Sequence, residues 1–381
     1  VYEKVNNMLL RSTKTYYKKN QFFNIFAIGE VNIIAILAVI GLCFTSLICL
    51  LSANNGSDNN WIQKQIMFIL ISIPVFITII SVNIKVIQKL AYYVLFGSII
   101  LLIYVMLFGK KSMGAVRWIN LGIFTFQPSE IAKISTVLTL AKYFSQFPRS
   151  IEKWYATFAP IALISPIALL VMIQPDLATS IVIIFTTITI LFAIGIPIWQ
   201  FVLAGTATVA VIPFLWVKMK TYQKLRIINF LNPENDPLGS GYNVIQSKIA
   251  IGSGGLFGQG MLNGTQGQLK FLPEHHTDFI FTIIGEEFGF IGCISVISLY
   301  LYLMWYGFNV TVNARDIFSK IVACGCTTIL FIHIFVNIGM TTGLMPVAGI
   351  PLPFISYGGT MMIVSFICIA LITNVDIYNK N

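Results

Sequence analysis

Charge is what this chain of 381 residues has least of. Only 10% of its residues are Asp, Glu, Lys or Arg, against roughly 25% in an ordinary soluble domain. That is too little to coat one or two globular units of this mass, so a soluble enzyme is excluded. With 57% hydrophobic residues and a mean hydropathy of +0.84, a disordered chain is excluded as well. Cysteines number six, and Cys43, Cys49, Cys293, Cys324, Cys326 and Cys368 all lie in apolar runs, which suits packing better than a disulfide framework or a metal site. Cys324 and Cys326, two apart, would not share a helix face. The first apolar run is long and lacks a small-residue cleavage site, so it reads as a membrane span and not as a cleaved leader.

What the chain has in quantity is apolar runs of about 20 residues, the length needed to cross a bilayer. Ten candidate spans lie near 31–51, 65–84, 91–108, 129–145, 155–173, 176–194, 198–217, 279–306, 318–344 and 355–375. The fold class expected is therefore all-α: a polytopic membrane helix bundle of about ten spans, one domain over 29–381, after a basic, aromatic tail at 1–28. The fourth span is the weakest, because it carries Glu130, Lys133 and Lys142. An even count puts both termini on one side, and the basic tail assigns that side to the cytoplasm. Lys85, Lys89, Lys142, Arg149, Lys153, Arg315 and Lys320 then fall inside. The net charge of +10 belongs to this bias and not to nucleic-acid binding, since the cations are scattered among spans.

Two outward loops break the charge rule. Residues 109–127 hold Lys110, Lys111 and Arg117, and the long loop 218–278 holds Lys218, Lys220, Lys224, Arg226, Lys248 and Lys270. A long loop translocates whatever its charge. Cations kept in the short one call for an anionic ligand.

Five constellations could carry chemistry. Arg117-Trp118-Ile119 is followed by Gln127-Pro128-Ser129-Glu130-Ile131-Ala132-Lys133 at the start of the fourth span; Pro128 suits the first helical turn, and Glu130 and Lys133 share a face as either a structural or a functional ion pair. Gln174-Pro175-Asp176 separates two spans, where the carboxylate reads most simply as a helix cap. The glycine-rich 251–260 lacks the Gly-Lys-Ser/Thr of a nucleotide loop and is read as a close-packed turn. Leu272-Pro273-Glu274-His275-His276-Thr277-Asp278 crowds titratable groups at the mouth of the eighth span, with Glu286 and Glu287 two turns further in. Thr277 or Asp278 could simply cap the helix, and a metal site from His275, His276 and Asp278 is disfavoured because adjacent histidines point apart on a helix. A general base is the sharp reading, although a helix N-terminus favours the ionised carboxylate and so weakens it as a base. Finally, Gly349-Ile350-Pro351-Leu352-Pro353-Phe354-Ile355-Ser356-Tyr357-Gly358-Gly359 breaks the helix before the last span, and irregular backbone at membrane depth lines a cavity. His333 and Asn337, four apart before it, read as buried hydrogen-bonding groups.

Together these segments resemble the shape, elongation, division and sporulation (SEDS) family, over nearly the whole chain from about residue 30. The joint occurrence of Leu-Pro-Glu-x-His-Thr-Asp-Phe-Ile-Phe and Gly-Ile-Pro-Leu-Pro-Phe-Ile-Ser-Tyr-Gly-Gly is highly specific. The stretches 246–252 and 337–341 lean toward the elongation members. The resemblance implies a ten-span bundle in a bacterial cytoplasmic membrane. It implies peptidoglycan glycosyltransfer from lipid II at the outer face, beside a class B penicillin-binding protein. The family's catalytic aspartate falls on Asp278. The substrate-binding positions it implies are Arg117, Glu130, Lys133, Gln174, Asp176, His276, Thr277, Pro353, Ser356, Tyr357, Gly358 and Gly359. No resident cofactor is implied, though a divalent cation, Mg2+ or Mn2+, would suit the phosphates. Ala178 stands where the family usually has Gly, and Thr360-Met361 where it has Ser-Ser. The same groove and basic mouth would serve a lipid II flippase, and a non-catalytic scaffold would leave the charged residues replaceable. The penicillin-binding protein is expected to pack near the eighth and ninth spans, with Gly325 and Gly339 of the ninth permitting close helix approach.

Overall fold

The structure is a computed structural model that describes residues 29–54, 60–112, 115–120, 122, 125–148, 157–218, 224, 240–264 and 276–380. The expected tail 1–28, and His275 with much of the loop 218–278, lie outside these. Eleven helices occur among the described residues: α1 (Ile33–Ala53), α2 (Trp61–Ser81), α3 (Ile84–Phe108), α4 (Pro128–Gln146), α5 (Phe158–Ile173), α6 (Leu177–Ala193), α7 (Ile198–Lys218), α8 (Ser240–Ser253), α9 (Ile280–Val312), α10 (Ile317–Thr341) and α11 (Gly359–Lys380). Each expected span is one of these helices, and α8 lies within the long loop 218–278.

Lipid-facing helices and inner helices differ as their sequences require. On α1, α3 and α7 large apolar side chains such as Ile33, Phe44, Phe96, Ile198 and Val202 are exposed, as a chain dissolved in lipid tails demands. Helix α4 is the reverse. Ser129, Glu130, Lys133, Ser135, Thr136 and Thr139 are all buried on it, and it packs against α3, α6 and α10. Its weak hydropathy thus marks an inner position. Helix α10 also lies inside, against α4, α6, α9 and α11.

The short loop 109–127 contains an element absent from the sequence reading: a three-stranded antiparallel sheet, β1 (Lys110–Ser112), β2 (Ala115–Asn120) and β3 (Thr125–Phe126), with β2 central. Ile119 pairs with Phe126 and Asn120 with Thr125, which fixes β2 beside the start of α4. Pro128 is at the first helical turn, as expected.

Helix α9 is broken once, at Gly289 (φ 64, ψ −156). The freed backbone groups pair with the glycine-rich turn. Gln259 and Gly260 N–H donate to the Glu286 and Glu287 carbonyls, while Phe290 and Ile291 N–H donate to those of Gly255 and Leu256. This approach leaves no room for a Cβ. One on Gly254 would strike the Gly285 carbonyl, and one on Gly258 that of Glu287. The 251–260 stretch is therefore the tight packing turn the sequence suggested. Ser52 Oγ donates to Glu287 Oε1, and Leu262 N–H donates to the same oxygen at 3.2 Å, tying α1 and the loop to the break.

Gly325 and Gly339 do not form an outer contact surface. A Cβ on Gly325 would meet Val137 of α4 and Ile190 of α6, and one on Gly339 would meet Met345, so both admit neighbours within the chain.

Gly289→Ala should destabilise the protein by more than about 2 kcal/mol, through left-handed backbone strain and collision with Gly255–Gly258. Gly97→Ala in α3, with open space at the Cβ position, should be neutral or slightly stabilising. Melting temperatures of the purified variants in detergent check the pair.

Candidate active site

The broken segment between α10 and α11 organises the site. Two prolines and two left-handed residues, Gly349 (φ 66) and Phe354 (φ 63), keep it out of a helix and leave its carbonyls without helical donors. Side chains from four helices replace those donors. Asn337 Nδ2 on α10 donates to the Ile350 carbonyl at 2.7 Å, and His333 Nδ1 meets that of Pro351 at 3.2 Å. Tyr300 on α9 donates to the Pro353 carbonyl at 2.5 Å. Ser46 on α1 donates to that of Ile355 at 2.6 Å, and Gln65 on α2 to that of Ser356 at 3.2 Å. The strained Phe354 is thus held by bonds to the residue on each side.

Asp278 is docked onto this segment through its own backbone. Three consecutive carbonyls each find a donor: His276 from Tyr357 N–H at 3.0 Å, Thr277 from Ser356 Oγ at 2.6 Å, and Asp278 from Asn337 Nδ2 at 2.9 Å. Ser356 Oγ also accepts from Leu352 N–H at 2.8 Å. The Asp278 carboxylate lies against Gly349, where a Cβ would come 3.3 Å from Oδ2. The residue is half-buried. Beside it, His276 stacks on Trp61 with centroids 4.1 Å apart and planes 7° from parallel, and Tyr357 tilts against both. Gly359 is required by Phe68, whose ring fills the space a Cβ would occupy, whereas Gly358 faces only Met361 at 3.8 Å.

The first two constellations form one cluster. Arg117, on β2, donates from Nε to the Gln174 carbonyl at 3.0 Å and from NH2 to that of Pro175. Its NH1 lies 3.7 Å from Asp176 Oδ1. Asp176 caps α6, accepting from Thr179 N–H and Oγ1, and its Oδ2 accepts from Gln127 and Ser129 at the start of α4. Gln174 Nε2 donates to the Leu102 carbonyl at 2.9 Å. Gln127 N–H donates to Thr360 Oγ1 at 3.1 Å, joining the cluster to α11.

One turn along α4, Lys133 Nζ is 2.9 Å from Glu130 Oε1 and 2.7 Å from His333 Nε2. All three side chains are buried, Lys133 to 1% exposure. Through His333 this ion pair reaches the proline segment. Sequence reasoning missed Ser46, Gln65, Tyr300 and Trp61. For Ser46 and Gln65 the available signal was a polar side chain inside an apolar span. Among the described residues no group of three or more His, Cys, Asp or Glu converges as a metal-holding cluster.

The fold and site define a multi-pass helical membrane protein with a half-buried carboxylate at a helix mouth, set on a satisfied helix break. Residues 25–381 match the FtsW/RodA/SpoVE family of cell cycle proteins, and the chain belongs to that family. It is 41% identical over 351 residues to peptidoglycan glycosyltransferase MrdB of Escherichia coli strain K12, covering 91% of this chain and 93% of that protein. It is 38% identical over 273 residues to stage V sporulation protein E of Bacillus subtilis, covering 71% and 74%. Among solved structures it resembles a chain of a peptidoglycan synthase complex that coordinates polymerization and crosslinking (TM-score 0.79, 28% identity, 91% and 97% covered). It also resembles the rod shape determining protein RodA of Thermus thermophilus (TM-score 0.68, 26% identity, 91% and 96% covered).

Asn337→Leu would remove the donor that the Ile350 and Asp278 carbonyls share, at about 1–3 kcal/mol for each bond lost. The variant should lose about 2–5 kcal/mol, seen as a lowered melting temperature in detergent. A Tyr93→Ala variant at an exposed α3 position should melt as wild type.

Proposed function

We propose that this protein is a peptidoglycan glycosyltransferase that polymerises lipid II at the outer face of the bacterial cytoplasmic membrane, with both termini in the cytoplasm. It works beside a class B penicillin-binding protein that crosslinks the product. The observation that carries the reading is the placement of Asp278: half-buried at the mouth of α9, its backbone fixed by Asn337 and its carboxylate against Gly349. The identity to MrdB over 91% of the chain supports the reaction class. The likeness to a complex that couples polymerization with crosslinking supports the partner.

In the step we propose, Asp278 takes the proton of the acceptor's GlcNAc 4-hydroxyl as that oxygen bonds to the anomeric carbon of the donor's MurNAc. The bond from that carbon to the pyrophosphate oxygen breaks, and polyprenyl pyrophosphate departs with the electron pair. One displacement turns an α-linked donor into a β-linked polymer. Arg117 is partly exposed, with 29% of its side chain accessible, and contributes positive charge where the leaving group gathers negative charge. Its guanidinium also fixes the Gln174–Asp176 turn. The burial of Lys133 favours a role behind the reaction centre over contact with phosphate. His276, Thr277, Pro353 and the Ser356–Gly359 turn frame the sugar side.

Asp278→Asn should lower the rate of lipid II polymerisation by about 10²–10⁴-fold, the usual effect of removing a positioned base, with the protein still in the membrane. Labelled lipid II and purified protein with its partner check it on a gel. Wild-type rate and polymer length in the variant would remove Asp278 from the reaction. Lipid scrambling in vesicles without polymer from the wild type would instead make the protein a transporter.

A further inference from the structure

One buried titratable group, His333, has no part in the glycosyltransfer step proposed above. We infer that His333 is a positioning residue that couples the buried Glu130–Lys133 ion pair to the wall of the Asp278 site, an inference that rests on the glycosyltransferase reading. The hydrogen bonds determine what the ring does. Lys133 is a donor only and is paired with Glu130 at 2.9 Å. At 2.7 Å from Lys133 Nζ, Nε2 of His333 therefore accepts. The ring proton is then on Nδ1, which faces the Pro351 carbonyl at 3.2 Å. One neutral imidazole thus joins a charge on α4 to the backbone of the broken segment.

The register carries the effect further. His333 and Asn337 are one turn apart on α10 and lie on the same face. They hold neighbouring carbonyls, Pro351 and Ile350, and the Asn337 amide also holds the carbonyl of Asp278. Gly349, against which the Asp278 carboxylate lies, directly precedes Ile350. A shift of Pro351 therefore moves the wall beside Asp278. His333, Lys133 and Glu130 are all at least nine-tenths buried, so none of them is placed to touch a lipid-linked sugar. Their effect on the reaction passes through geometry. A carboxamide of suitable reach can accept from Lys133 and donate to Pro351, so glutamine is the conservative replacement.

The test measures kcat and KM for lipid II with the full chain and its partner, in wild type, His333→Leu, His333→Gln, Lys133→Met, the His333→Leu/Lys133→Met double variant, and Asp278→Asn. His333→Leu should lower kcat about 10–100-fold, the loss expected when a buried bond to a charged group is removed, with KM changed less than about twofold. His333→Gln should recover most of the rate. The double variant should be no slower than the worse single variant, because the two act as one unit. Should His333→Leu fail to accumulate, His333→Asn, too short to span both partners, is expected to show the same loss. Wild-type kcat in either variant, a rise in KM alone, losses that multiply in the double variant, or glutamine no better than leucine would overturn the coupling. If wild type polymerises and Asp278→Asn does not, such a result sinks only the His333 inference. If wild type makes no polymer, the glycosyltransferase reading falls and the inference with it.

Discussion

Backbone that leaves a helix inside an apolar bundle must find new hydrogen-bond partners, and five carbonyls of the segment from Gly349 to Tyr357 find them in side chains. Each orphaned carbonyl in such surroundings costs about 1–3 kcal/mol, so five of them would outweigh much of a protein's net stability. Ser46, Tyr300, His333, Asn337 and Gln65 remove that cost. Because the donors come from α1, α2, α9 and α10, the break also locks four helices around one point. The 276–278 backbone joins the same network. The position of Asp278 is therefore a consequence of satisfying a broken helix.

The kink in α9 meets the same requirement by the opposite means. There the partner is another stretch of backbone, and glycine is the enabling residue because any Cβ at Gly254, Gly258 or Gly289 would occupy the line of approach. The two solutions have different consequences. Side-chain donors are specific and directional, and they transmit a change at one helix to the segment they hold. Backbone pairing is indifferent to side-chain identity beyond the need for glycine, and it makes a rigid joint between the long loop and α9. The carboxylate of Glu287, with Ser52 and Leu262 on one oxygen, adds a side-chain clamp to that joint.

Much of this was legible in the sequence because the bilayer enforces simple patterns. Apolar runs located most of the described helices, Pro128 marked the start of the less apolar α4, and the two prolines marked the break. The low hydropathy of α4, with Glu130 and Lys133, was readable as an inner helix only once its neighbours were known. What stayed hidden was partnership over distance. Ser46 and its acceptor Ile355 are 309 positions apart, and Gln65 and Ser356 are 291 apart; no local pattern pairs them. The β1–β3 sheet was missed because its strands are two to six residues long, too short for alternation to register. Small residues misled at Gly325, since a glycine shows that something approaches closely and not whether the neighbour is a partner or the chain's own α4.

The acidic side chains differ in burial and in how their oxygens are engaged. Lys133 and Glu130 are both buried and satisfy each other, an arrangement whose desolvation cost offsets most of its attraction, so its value lies in specificity of placement more than in stability. Asp176 spends its oxygens on Thr179, Gln127, Ser129 and Arg117. A carboxylate engaged this fully holds α4, α6 and β2 together and is poorly suited to give or take a proton. Asp278 differs in being only half-buried, and the bond from Asn337 falls on its backbone carbonyl. Anchoring through the carbonyl fixes where the residue stands by a bond that lies outside the carboxylate. The base proposed above would need that separation, because its location must hold while its oxygens exchange one partner for another.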